Sequence, residues 1–292
     1  MKKKIRFIIN PNSGSGKKEH FEEWIHAGID KANFDYEICL TKAAGHATEL
    51  SREAAQESFY AVIAVGGDGS VNETGTGLIG SETALGIIPT GSGNGMARHL
   101  KIPVNFGKAI NVLNRSKIER IDTVKVNQHF CIGTFGIGFD AHIAHLFAKA
   151  GSRGYSTYVK LVLAEFYNYA SHQYNLVVDG KNIFIKSFLL TFANSSQFGN
   201  NAVIAPFADV KDGKIDIAVV KKFNAIFAPH LIYRMMNNKL QHSRFFETMQ
   251  AQNIVVQNSS PLKGHIDGEP VEFNADVHVS MNPLSLNVLI AE

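Results

Sequence analysis

Four short apolar runs in the first hundred residues each end in a cluster of small, polar and glycine-rich residues, and this alternation leaves few folds open. Residues 5–9 run into Asn10-Pro11-Asn12-Ser13-Gly14-Ser15-Gly16. Residues 36–40 end near Thr41 and Gly45, residues 61–65 in Gly66-Gly67-Asp68-Gly69-Ser70, and residues 85–88 in Pro89-Thr90-Gly91-Ser92-Gly93-Asn94-Gly95. Between them, 19–33 and 47–58 have helical composition, the second opened by a Thr48 or His46 cap. Wholly apolar strands alternating with helices predict parallel βαβ units and an α/β sheet. Ligands of such sheets bind beyond the carboxyl ends of the strands, where all four loops fall.

After about residue 118 the texture changes. Extended segments are expected at 120–126, 130–133, 175–178, 183–192, 214–220, 254–257, 270–275 and 277–281, with helices only at 140–150, 157–170 and 225–238. Asp179-Gly180, Asp212-Gly213 and Asp267-Gly268 punctuate them as turn signals. The expectation is an antiparallel β-sandwich over 121–284, following an α/β domain over 1–120.

With 292 residues, 45% hydrophobic and 19% charged, the chain is long enough for two cores and too apolar for general disorder. A net charge of +3 is too small to mark a nucleic-acid binder. Cys39 and Cys131, far apart, build neither a disulfide framework nor a zinc site. The opening Met-Lys-Lys-Lys is followed by too short an apolar stretch for a signal peptide, and no stretch reaches the roughly 18 apolar residues of a spanning helix. A cytoplasmic location is expected.

Gly66–Ser70 follows an apolar strand and precedes a helix-like segment, 71–78. Glycines let peptide N–H groups wrap a phosphate, and a helix N-terminus adds partial positive charge. Asp68 suits a divalent cation or its waters rather than phosphate itself; a tight turn with an Asp cap is the alternative. Gly91–Gly95 repeats the device. The loop after the first strand is not a P-loop, because that pattern needs glycine where Pro11 stands. Two acidic clusters follow. Asp209-Val210-Lys211-Asp212-Gly213-Lys214 reads as a hard-cation loop or a surface turn. His265-Ile266-Asp267-Gly268-Glu269 reads as a hairpin turn, or as a turn presenting Glu269 to take a proton from a hydroxyl.

These residues resemble the diacylglycerol kinase catalytic-domain family of bacterial lipid kinases, related to sphingosine and ceramide kinases. The resemblance is carried by Asn-Pro-x-Ser-Gly at 10–14, Thr41 with Gly45-His46-Ala47, Gly-Gly-Asp-Gly-Ser-Val-Asn-Glu at 66–73, Pro-x-Gly-Ser-Gly-Asn at 89–94, Asp-Gly-Lys at 212–214 and Asp-Gly-Glu at 267–269. It implies an N-terminal α/β nucleotide-binding domain, completed by 285–292, and a C-terminal antiparallel β-sandwich that takes the lipid. ATP would lie along Asn10, Pro11, Asn12, Ser13, Gly14, Thr41, Gly66, Gly67, Asp68, Gly69, Ser70, Val71, Asn72 and Ser92. Asp68 would organise magnesium and water near the phosphates, and Glu269 would be the general base. Asp209, Asp212 and Lys214 match positions that hold a structural magnesium, two of them through backbone oxygens. Ser70 stands where threonine is usual. Gly-Ser-Gly-Asn is nearer the sphingosine-kinase spelling, which leaves diacylglycerol and long-chain bases both open as substrates.

Peripheral contact with the inner face of the membrane follows from a lipid substrate, and a homodimer from an exposed sandwich edge. Rival readings are a soluble-substrate kinase of the NAD-kinase kind and a catalytically silent lipid-binding protein. His142 and His145, three apart on an expected helix, are read as ordinary helix residues, and the aromatic residues between 135 and 174 as core or acyl pocket. Residues 223–246 are read as an amphipathic helix packed on the sandwich, with docking on an anionic bilayer as the alternative.

Overall fold

The computed structural model describes residues 2–11, 20–150, 154–258 and 261–292. The chain divides into two compact units, 1–121 with 284–292, and 122–283.

The first unit runs β1 (Lys3–Ile9), α1 (Phe21–Gly28), β2 (Phe34–Leu40), α2 (His46–Gln56), β3 (Ala61–Gly66), α3 (Asp68–Leu78), β4 (Ala84–Pro89), α4 (Gly95–His99), α5 (Phe106–Asn114) and the start of β5 (Ser116–Val126). β2, β1, β3 and β4 are adjacent and parallel. All six residues of β3 are buried, as the unbroken apolar run requires of a central strand covered on both faces. Ile5, Phe7, Ile63 and Leu85 lie in the core with Ile110 of α5. α2 is capped neither by Thr48 nor by His46: its N-cap is Gly45, at φ +82°. α3 begins at Asp68, three residues before the expected helix, and α1 ends at Gly28, five residues short.

The second unit adds β6 (His129–Cys131), β7 (Thr134–Gly138), α6 (Phe139–Lys149), α7 (Tyr155–Glu165), β8 (His172–Val178), β9 (Lys181–Ser187), β10 (Leu189–Ala193), β11 (Ile215–Val220), α8 (Ala228–Met236), β12 (Phe246–Ala251), β13 (Asn253–Gln257), β14 (Leu262–Ile266), β15 (Glu269–Phe273) and β16 (Val277–Ala291). One antiparallel layer orders β12, β11, β10, β7, β14 and β15; β13 pairs antiparallel with β8 and with the first residues of β16, and β8 with β9. Phe135, Phe192, Leu176, Ile217, Ile254 and Val277 from both layers share one buried core, the signature of a sandwich.

The segment expected as one strand over 183–192 is two. β9 ends at Ser187, Phe188 is buried against Phe139 and Phe166, and β10 begins in the other layer. The expected helix over 225–238 is a 3₁₀ turn followed by α8, and β7, β12 and β14 had no counterpart among the expected strands. β16, expected to stop at 281, continues to Ala291, where Val288 pairs in parallel with Leu85 of β4 in the first unit.

Candidate active site

In the first unit the candidate residues share one edge. Parallel register sets Ile9 opposite Leu40 and Val65, and Gly66 opposite Pro89. Backbone bonds carry that alignment one residue into the loops: Thr41 N–H donates to the Ile9 carbonyl at 2.9 Å, Asn10 N–H to Val65 at 3.2 Å and Thr90 N–H to Gly66 at 2.9 Å. Asn10 Nδ2 also donates to Ser70 Oγ at 3.3 Å, tying the first loop to the start of α3. Gly67 is the N-cap of α3 and Asp68 its first residue. Gly69 and Ser70 contribute first-turn N–H groups, which no helix satisfies internally. Val71 is buried and donates back to the Gly67 carbonyl at 3.0 Å, while Asn72 is half-buried one residue on.

The second glycine loop lies against the first. A Cβ on Gly91 would stand 2.5 Å from Gly67 Cα, so only glycine permits this backbone-to-backbone approach. Buried Asn94, at φ +55°, closes the loop on itself: its Oδ1 accepts from Gly91 N–H at 2.9 Å and its Nδ2 donates to the Gly91 carbonyl at 2.7 Å. Ser92 stays exposed at the tip. Clustered amides at a helix N-terminus suit a polyphosphate. Pro11 follows Asn10 on this edge, whereas Asn12, Ser13 and Gly14 lie outside the described residues.

The second unit holds the acidic residues. In the turn before β11, Asp209 Oδ1 accepts from Lys211 N–H and Asp212 Oδ1 from Lys214 N–H, both at 3.0 Å. Gly213 N–H donates to the buried Asp122 carboxylate at 2.8 Å. Gln250 Nε2 lies 3.4 Å from Asp212 Oδ2 and 3.3 Å from Asp216 Oδ2. Burial pushes the Asp216 carboxyl up to about 6, against the Gln250 hydrogen bond and with help from the Asp212 charge. Among the described residues no three His, Cys, Asp or Glu side chains converge as a metal-binding group. The Lys214 ammonium lies 3.4 Å from Gln250 Oε1. Both Asp212 oxygens already accept hydrogen bonds, from Lys214 N–H and Gln250 Nε2, so a hard cation at this turn would draw on Asp209 Oδ2 and backbone carbonyls.

Glu269 opens β15 directly after a two-residue hairpin turn, and its side chain is exposed. Asp267 and Gly268 have φ of +48° and +87°, as a type I′ turn demands. The Asp267 carboxylate accepts from the backbone N–H groups of Ile132 at 2.9 Å, Gly133 at 2.8 Å and Thr134 at 2.8 Å. The Cys131 thiol lies beside it; burial, with the Asp267 charge adding, holds that thiol well above its usual value. Asn194, which the sequence did not single out, is buried and donates to the carbonyls of Asp122 and Ile132, each at 2.8 Å. His142 Nε2 lies 2.8 Å from Glu165 Oε2, and His145 Nε2 lies 3.1 and 3.3 Å from the carbonyls of Gly264 and Val271.

The first unit is thus a parallel sheet with glycine loops along its carboxyl edge, and the second an antiparallel sandwich that presents Glu269 on a tight turn, an arrangement compatible with phosphoryl transfer. Models of known families agree. A diacylglycerol kinase catalytic domain matches residues 4–126 and a YegS C-terminal NAD kinase beta sandwich-like domain matches residues 133–290. The chain belongs to the diacylglycerol kinase catalytic-domain family, in the form that carries the YegS-type sandwich, and by enzyme class it is a lipid kinase. It is 28% identical over 264 residues to "Probable lipid kinase YegS-like" of Chromohalobacter salexigens, covering 88% of this chain and 85% of that one. It is 28% identical over 279 residues to the diacylglycerol kinase of Bacillus subtilis, covering 91% and 90%. A crystal structure of a diacylglycerol kinase from Bacillus anthracis has the same fold, with a TM-score of 0.73 at 21% identity over 99% of this chain and 97% of that one.

Proposed function

We propose that this chain transfers the γ-phosphoryl group of ATP to the hydroxyl of a membrane lipid, of the diacylglycerol or long-chain-base type. The observation that carries the reading is Glu269: an exposed carboxylate on a turn that three amides hold through Asp267. A base needs a well-held backbone and a carboxylate open to the acceptor hydroxyl; the anchored turn and the exposure of Glu269 support that role. Glu269 takes the hydroxyl proton as the lipid oxygen bonds to the γ-phosphorus and the bond to the departing ADP oxygen breaks. The amides of Gly66–Ser70 and the Gly91 loop hold the phosphates by charge and shape, which is most of what phosphoryl transfer asks of a protein. Magnesium ions, when bound near Asp68 and at the Asp209–Lys214 turn, supply charge neutralisation and rigidity. A lipid acceptor places the enzyme at the inner membrane surface as a peripheral protein; among the described residues no helix is long and apolar enough to cross a bilayer.

The test is transfer of labelled γ-phosphate to dispersed diacylglycerol, monoacylglycerol, phosphatidylglycerol, ceramide and sphingoid bases, with sugars and NAD as soluble acceptors. Label on a lipid is expected; label confined to a soluble acceptor overturns the reading. Glu269→Gln should lower kcat roughly 10²- to 10⁴-fold without moving Tm, and Asp68→Asn should also remove most turnover. Full activity in both would overturn the mechanism.

A further inference from the structure

Behind the Glu269 turn lies a buried chain of polar groups that the reaction as described leaves unused. His265 and Asp140 are 4% and 6% exposed, and His265 Nε2 lies 3.1 Å from Asp140 Oδ2. The other ring nitrogen, Nδ1, is 3.3 Å from the N–H of Gly268, the residue immediately before Glu269. Asp140 is itself held: Oδ1 accepts from Ala141 N–H at 2.9 Å, and Oδ2 accepts from Thr191 Oγ1 at 3.2 Å. Phe198 packs its ring against the imidazole. The site is built for the pair, because any side chain at Gly136 would run into both Asp140 Oδ2 and His265 Nε2.

This geometry dictates a tautomer. A backbone N–H only donates, so Nδ1 must carry a lone pair, and the ring proton must sit on Nε2, where the Asp140 carboxylate accepts it. We propose that Asp140 and His265 form a positioning relay: Asp140 fixes the Nε2–H tautomer, and the Nδ1 lone pair then seats Gly268 and with it the carboxylate of Glu269. Asp267 anchors one side of the turn and His265 the other. The inference rests on Glu269 acting as the base.

Two substitutions separate the two ring nitrogens. Asparagine places an acceptor near Nδ1 and cannot reach Asp140; glutamine reaches Asp140 and leaves Gly268 without its acceptor. His265→Gln should lower kcat about tenfold or more with KM for ATP unchanged, while His265→Asn stays within about threefold of the parent. Asp140→Asn should resemble His265→Gln, because Ala141 N–H keeps the amide oxygen at the Oδ1 place and turns an NH₂ toward Nε2, favouring the wrong tautomer. Nitrogen-15 NMR of the full-length protein reads the tautomer directly, with Nε2–H expected in the parent. A Nδ1–H ring overturns the relay, as does equal kcat in His265→Gln and His265→Asn. Glu269→Gln is assayed alongside: full turnover there overturns the base, while the tautomer still decides the relay; its loss together with a fully active His265→Gln overturns the relay alone.

Discussion

Asp267 shows how one side chain can set the turn that presents Glu269. Its carboxylate serves three amides in sequence, from Ile132 to Thr134. Asp267→Ala would leave three partly buried N–H groups without their partner, and since each such loss costs about 1–3 kcal/mol, urea denaturation should show a loss of several kcal/mol together with lowered kcat. Asp267→Asn, which keeps the shape and gives up the charge, should fall between. At the glycine edge, Gly91→Ala should raise KM for ATP more than it lowers Tm, because the added methyl forces apart two loops that lie on the sheet edge rather than in the core. The Asp-Gly turn before Glu269 was legible from two adjacent residue types. The carboxylate's partners were not, since they lie 133 to 135 positions away in the sequence. A separation of 125 positions likewise hid Asp140, a first-turn helix acid until folding brings it to His265.

Among the elements, the parallel strands were easy to find because burial on both faces makes them continuously apolar, and β1, β3 and β4 are buried along most or all of their length. The sandwich strands were harder. β12, with the sequence FETMQA, and β14, with LKGHI, are mixed in polarity and short, so they carry neither an apolar run nor a clean alternation. β9 and β10 read as one strand in the sequence because the break between them, Lys186-Ser187-Phe188, carries no Gly, Pro, Asn or Asp to mark a turn. The end of β16 is where the two units share a strand. Leu286, Val288 and Leu289 are buried, and Asn287 Nδ2 donates to the carbonyls of Ser81 and Glu82 at 3.2 and 3.3 Å. At about 1.5–3 kcal/mol for each buried aliphatic side chain, deleting 284–292 should remove most of the first unit's stability, measurable as loss of Trp24 fluorescence structure at temperatures where the full chain remains folded.

At the scale of the molecule, each unit carries its own reporter. Trp24, the one tryptophan of the sequence, packs against Phe21 and Phe106 in the first unit, and Cys131 is fully buried in the second. Burial keeps the Cys131 thiol protonated at neutral pH, so alkylation there should track unfolding rather than thiol reactivity. Because β16 pairs with β13 in one unit and β4 in the other, the fluorescence and alkylation transitions in urea should coincide; separated midpoints would show that the shared strand does not couple them. That strand also has a consequence for synthesis. Domains commonly fold as they leave the ribosome, the N-terminal one first. Here residues 122–283 lie between β4 and its neighbour Val288, so β4 waits for that neighbour until the whole of the second unit has been translated. The parallel sheet of the first unit is therefore the last part able to close, and a nascent chain stalled before that point carries an open strand edge, a surface that chaperones and aggregation would compete for.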